Sequence, residues 1–188
     1  MNKKFELLLD DTITIFGIKL FRIKALISFG SVEEGEIGGY VEKEDNLSSS
    51  GNAWVSGNAR VYGNALVSDN ARISGNAWVS GNALVSDNAE VYGDAWVYGN
   101  AEVSGNAEVY GNARVYGNAD YIVFKNHWSS GRYFTYTKSN KMWRVGCFYG
   151  TGQELIKKAY QDSEVSGKHY EAYVEFVEKL EKLEEAND

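Results

Sequence analysis

Few side chains in this sequence suit bond-making chemistry. His127 and His169 are its two histidines and Cys147 its one cysteine, all in the last third of the chain. A general base must reach the proton it takes, and a nucleophilic thiol needs a base beside it. His127 lies in the polar run KNHWSSG and His169 among Lys168, Tyr170 and Glu171, so both read as surface residues. Cys147, inside KMWRVGCF, reads as a small buried hydrophobe. No Cys/His pair has zinc spacing, and the nonapeptide calcium pattern of β-helices is missing. The glycines follow a repeat rather than a phosphate-binding loop. No catalytic residue, metal site or cofactor is therefore expected.

A second set of residues is richer in recognition chemistry. Arg60, Trp78, Trp96 and Arg114 recur at eighteen-residue intervals. Tyr62, Tyr98 and Tyr116 share that spacing, with Ser80 filling the gap. Trp, Tyr and Arg are enriched in binding hot spots, and an exposed aromatic patch of this extent usually marks an interaction site. Flat rings with guanidinia at the ends also offer base stacking and phosphate pairing. The bland reading is that aromatic neighbours simply stabilise a strand ladder, or that the face is covered by a cap or another subunit.

The element that carries this spacing is a repeat. From Gly51 the chain runs GNAWVS GNARVY GNALVS DNARIS and onward to GNAD, twelve consecutive hexads over residues 51–120 of which the last is cut to four residues. A fixed hexapeptide period marks a parallel β-helix. Each hexad has one β-branched residue, from Val55 to Val115, and an alanine two residues earlier, from Ala53 to Ala119. A spacing of two puts both on one face of a strand, the Val filling the interior and the Ala fitting near a corner. Gly-Asn supplies the corner, since both residues tolerate positive φ. Asp69 and Asp87 replace glycine there.

Residues eighteen apart should then stack in columns. Before the valines these are Trp54, Arg72, Glu90, Glu108; then Arg60, Trp78, Trp96, Arg114; then Leu66, Leu84, Glu102, Asp120. Stacked coils leave open strand edges that need caps.

The flanks suit that role. FELLL, a turn at Asp10-Asp11, TITIF and IKLFRIKAL read as short strands, and residues 37–50 as an irregular first coil. Val41 and Leu47 share the six-residue phase of Ala53. Beyond Ala119, YIVFK, RYFTYTK and KMWRVGCF read as three strands. Thr151 to Glu154 form a capping box opening a helix to about Asp162, and a second helix follows from about Ser166. The expected organisation is an N-terminal β cap over 1–50, a β-helix over 51–120, and an α+β cap with two helices over 121–188.

Composition bounds the rest. Net charge is −7, divided as −3, −4 and zero over these three segments, so no basic footprint for nucleic acid is present. Direct nucleic-acid binding is not expected. The single cysteine excludes an internal disulfide and fits a reducing compartment. No run approaches the ~18 apolar residues of a membrane span, and Asp10 and Asp11 interrupt the only N-terminal apolar stretch. A cytoplasmic protein is the expectation.

The GNAxVx array resembles the hexapeptide-repeat, left-handed parallel β-helix superfamily, which implies three hexads per coil, about four regular coils and a frequent trimer. With FRIKALISFGSVEEGEIGGYVEKEDNLS before it and WRVGCFYGTGQEL after it, the whole chain resembles phage and prophage hexapeptide-repeat proteins of hypothetical or "polymer-forming" description. The resemblance implies a non-catalytic binding protein in a host cytoplasm. Such a protein would act as a counter-defence factor that grips a host protein or sequesters an anionic nucleotide, through Arg60, Trp78, Trp96, Arg114, Tyr62, Tyr98 and Tyr116. Two alternatives remain: a hexapeptide-repeat acyltransferase using His127 at a subunit boundary, and a self-assembling structural protein.

Overall fold

The computed structural model describes residues 3–186. The chain divides into two units, residues 1–122 with 137–140, and residues 123–136 with 141–188.

The first unit is a β-solenoid of about four turns. Its eleven short strands β4 to β14 are Trp54–Val55, Arg60–Val61, Leu66–Val67, Arg72–Ile73, Trp78–Val79, Leu84–Val85, Glu90–Val91, Trp96–Val97, Glu102–Val103, Glu108–Val109 and Arg114–Val115. Strands eighteen residues apart pair in parallel, giving the three sheet orders β4-β7-β10-β13, β5-β8-β11-β14 and β6-β9-β12. The valine positions and Ile73 are fully buried, and so are the alanines from Ala53 to Ala113. Burying each valine contributes roughly 1.5–3 kcal/mol.

The corners explain why the period holds. Gly57, Gly75 and Gly93 lie at φ of 63°, 68° and 77°, and Asp69 and Asp87 adopt the same left-handed conformation at 58° and 57°. Aspartate tolerates it because its carboxylate bonds locally. Gly105 N donates to Asp87 Oδ2 at 3.0 Å, one coil further on. Corner asparagines chain together as well, Asn52 to Asn70 to Asn88 at 2.9 and 3.2 Å.

The N-terminal segment extends the second sheet to seven strands. β1 (Phe5–Ile15), β2 (Ile18–Ala25) and β3 (Ile37–Val41) join it in the order β1-β2-β3-β5. The turn expected at Asp10-Asp11 is instead a bulge inside one strand: Leu8 faces Arg22 and Thr12 faces Phe21, so three residues bulge where the partner has none. Val41 pairs with Val61 and Leu47 bridges Val67, at a spacing of twenty. Both therefore sit in the interior valine columns rather than on the alanine phase, because the serine run before Gly51 inserts two extra residues. At the other end the third column stops at Glu102. Asp120, expected beside it, lies in a 3-10 turn (Asn118–Asp120) whose Ala119 is exposed, and Ile122 leaves with it.

Both ends of the ladder are closed by side chains. At the N-terminal end Lys4 Nζ donates to Ser48 O at 3.2 Å and Ala53 O at 2.8 Å. Asn46 Nδ2 donates to Gly63 O and Ala65 O. At the C-terminal end Glu102 N donates to Asn118 Oδ1, Arg114 N to Ser139 Oγ, and Tyr116 N to Asp120 Oδ2. Residues 137–140 belong to this unit for that reason. Lys4 is 2% exposed, and burial lowers its ammonium pKa to about 8.

The second unit has most of a sheet of order β15-β16-β17-β18 (Tyr121–Lys125, Tyr133–Thr137, Met142–Val145, Phe148–Gly150) and helices α1 (Gly152–Asp162) and α2 (Glu164–Glu185). KMWRVGCF is two strands, not one: Gly146 at φ 55° reverses the chain, and β17 pairs antiparallel with β18. Cys147 sits at that reversal and is exposed, not buried. The Thr151–Glu154 capping box forms, with Glu154 N donating to Thr151 Oγ1 at 3.3 Å. α2 starts at Glu164 because Ser163 caps it. Phe134, Trp143, Leu155, Tyr170, Val174 and Val177 form its core. Among the described residues no helix is long and apolar enough to cross a membrane.

Two stability predictions follow from the caps and corners. A Cβ on Gly75 would meet Gly93 N and O at 3.0 Å, whereas one on Gly105 meets nothing within 4 Å, and both residues have positive φ. Gly75→Ala should therefore cost more than Gly105→Ala, which should cost only the left-handed penalty of about 1–2 kcal/mol; urea midpoints compare them. For Lys4, the unfolded chain holds the proton up to the ordinary 10.5 while the folded chain releases it near 8. Folding stability from this group thus rises with pH between those values and is lost as pH falls through 8. Wild type should gain stability over Lys4→Met between pH 7 and pH 10; an unchanging difference would refute the assignment.

Candidate functional site

The column expected from the sequence forms on the outside of the second sheet. Arg60 pairs in register with Trp78, Trp78 with Trp96, and Trp96 with Arg114. The two indoles stack at 5.0 Å between centroids, with planes 11° apart. The Arg60 guanidinium lies 4.9 Å from the Trp78 centroid and the Arg114 guanidinium 5.4 Å from that of Trp96. A cation thus closes each end of the tryptophan pair, a favourable contact with the negative ring face. Among the described residues neither guanidinium has an ion pair. The Arg60 Nε is buried without a hydrogen-bond partner.

The tyrosines join it unevenly. Tyr62 stands edge-on to Trp78 at 6.2 Å, and Tyr98 packs against Tyr116 at 5.3 Å. Ser80, between their rows, leaves the two groups apart. Trp96 is 36% exposed and Tyr116 60%, while Trp78, Arg60, Tyr62 and Tyr98 are half-buried.

Three further residues belong to this face and were not expected. Tyr40 pairs with Arg60, and the Arg22 guanidinium lies 4.2 Å over the Tyr40 ring. Arg22 is held by Gly38 O, Gly57 O, the Tyr40 hydroxyl and Asp11. The column therefore runs Arg22, Tyr40, Arg60, Trp78, Trp96, Arg114. The third is Phe16, whose ring is 6.0 Å from Trp78 and 79% exposed. Phe16 and Gly17 have φ of 51° and 82° and form a two-residue hairpin loop between Ile15 and Ile18, a type I′ turn. A bulky residue at positive φ is a strained choice there. Strain of this kind clusters at functional positions. The twenty-residue offset of Tyr40 hid it from an eighteen-residue reading. The Phe-Gly pair was the available signal for the turn.

The other columns are less available. Trp54 is 2% exposed, stands edge-on to Phe29 at 5.5 Å and donates to Glu36 at 3.2 Å. Arg72 donates to Ser31. Residues 28–36 thus cover the start of the first face. In the second unit the two histidines do meet, with rings 5.7 Å apart.

The family model of the YdcK β-solenoid repeat matches residues 53–69, 59–72, 65–81, 71–87 and 107–119. The likeness lies within the coils, over residues 53–87 and 107–119, and does not extend to the flanks. No curated protein matches the chain.

The strain at the hairpin tip gives a prediction. Phe16→Asn supplies the Asn-Gly pair that type I′ turns favour. It should raise stability by about 1 kcal/mol, read as a higher melting temperature, although it removes an aromatic ring.

Proposed function

We propose that this chain is a non-catalytic interaction protein that grips an acceptor-rich protein surface through the outer face of its second sheet. The observation that carries the reading is the closed Arg60–Trp78–Trp96–Arg114 stack with two unpaired guanidinia. Neither indole N–H of the pair has a hydrogen-bond partner among the described residues. The face therefore offers donors and few acceptors, and a partner surface rich in carboxylates and carbonyls complements it. Rigid aromatic anchors beside arginines are the composition of binding hot spots. The strained Phe16 ring extends the face at low cost in side-chain entropy.

A nucleotide ligand is the weaker form of the reading. Both faces of the tryptophan pair are occupied, by each other and by the guanidinia, so neither indole has a free face on which to stack a base. A phage or prophage setting, a host protein as the partner and a counter-defence role extend the proposal. They rest on the resemblance of the flanks. An acyltransferase would need His127 at a reacting centre, and the coils hold no histidine at all. Assembly of several copies through this same face is the competing outcome.

Capture from host lysate by wild type, Trp96→Ala and Arg114→Glu tests it, with light scattering on each. Both substitutions lie on the exposed exterior and should leave the fold intact. A partner held by wild type should be lost by both, with affinity down at least roughly thirtyfold. Equal capture by all three, or a substitution that changes only the oligomeric state, would sink the proposal.

A further inference from the structure

The sequence leaves His127 and His169 as separate surface residues, forty-two positions apart. In the second unit their rings are neighbours, with centroids 5.7 Å apart and planes 76° apart. Both are held. His127 follows Asn126, a buried residue whose backbone N–H donates to Arg132 O and whose amide donates to the Tyr170 hydroxyl on α2. Asn126 also accepts from Ser129 N through its side chain, so the loop bearing His127 is tied at three points. His169 lies one residue before Tyr170 on α2, and its Nδ1 is 2.7 Å from Val165 O. A carbonyl can only accept, so Nδ1 carries the proton and the neutral ring presents its lone pair at Nε2. Metal-binding histidines are commonly oriented by such a bond from the other ring nitrogen. Trp128 stacks on His169 at 4.4 Å and 13° and stands edge-on to His127 at 5.4 Å. Its ring fixes the plane of one imidazole and walls one side of the pair.

We propose that His127 and His169 form a two-imidazole site for a divalent transition cation of the Cu²⁺, Ni²⁺ and Zn²⁺ class. The spacing suits it. A nitrogen at ~2.0–2.1 Å from such an ion puts the ring centroid roughly 3.2 Å away. Two rings around one ion then stand roughly 5–6 Å apart for bond angles between tetrahedral and somewhat wider. The ligand chemistry sets the class, since imidazole selects borderline cations and the lack of clustered carboxylates disfavours Ca²⁺ and Mg²⁺. Among the described residues no third His, Cys, Asp or Glu joins the pair. The remaining coordination positions are left to water, and the site is exchangeable rather than structural. Copper should bind tightest by the usual order of divalent ions.

Copper titration of the tag-free chain tests this, read by calorimetry and by tryptophan fluorescence. One equivalent should bind and quench part of the emission, because Trp128 touches the site. His127 is exposed, so His127→Ala should fold normally and weaken binding at least roughly tenfold; His169→Ala should do the same. Trp128→Phe should keep the stoichiometry and lose most of the quenching. Copper uptake by His127→Ala equal to that of wild type, or quenching that persists in Trp128→Phe, would overturn the site.

Discussion

The parallel ladder with its fixed eighteen-residue step governs this molecule. Trp54 N donates to Ala71 O, Arg72 N to Ala89 O and Glu90 N to Ala107 O, all at 2.9–3.0 Å. A step of that kind survives only if every coil has the same length and bends at the same places. Each bend needs a residue at positive φ, which glycine takes freely and aspartate takes when its carboxylate finds a backbone N–H, as at Asp87. The interior then has room for one small and one β-branched residue per hexad. Nothing in these requirements constrains the side chain before the valine. It varies freely in the sequence, yet the register stacks its variants into columns.

The same ladder creates its own hazard at the two ends, where backbone groups lose their partners. The two ends need opposite chemistry. At the N-terminal end the open carbonyls of Ala53, Gly63 and Ala65 take donors, from Lys4 and Asn46. At the C-terminal end the open N–H groups of Glu102, Arg114 and Tyr116 take acceptors, from Asn118, Ser139 and Asp120. Burying an ammonium at Lys4 costs desolvation, and the two carbonyls with the Phe29 ring 4.3 Å away offset part of that cost. The caps are thus a polarity-matched termination.

What was legible in the sequence is what the period dictates. The valine and alanine columns, the corner conformation of Asp69 and Asp87, and the Arg60 column all follow from counting by six and eighteen. Reading failed where the period is broken. Two extra residues before Gly51 shifted Val41 and Leu47 from one phase to another, and hid Tyr40 beneath Arg60. Asp10 and Asp11 are turn formers, but strand pairing continues on both sides of them, and register energy overrode local preference. The pairing of His127 with His169 depends on a helix packing against a loop. No spacing encodes that contact.

The ladder also limits what the outer face can recognise. Rows in such a sheet are ~4.8 Å apart, close to the distance at which aromatic rings stack. Tryptophans in consecutive rows therefore spend their faces on each other, as Trp78 and Trp96 do. Arginines in the flanking rows take the two faces left over. What remains outward is ring edges, indole N–H groups and guanidinium N–H groups, spread over three row steps or roughly 14 Å. Edges and donors discriminate by shape and hydrogen bonding, which suits a folded protein surface better than a flat ring. The whole chain, these two arginines included, carries net charge −7, so the arginines form a local cationic strip on an acidic molecule. Such a strip would orient the proposed acidic partner toward this face and away from the other two, the first of which already spends Trp54 and Arg72 on its own chain.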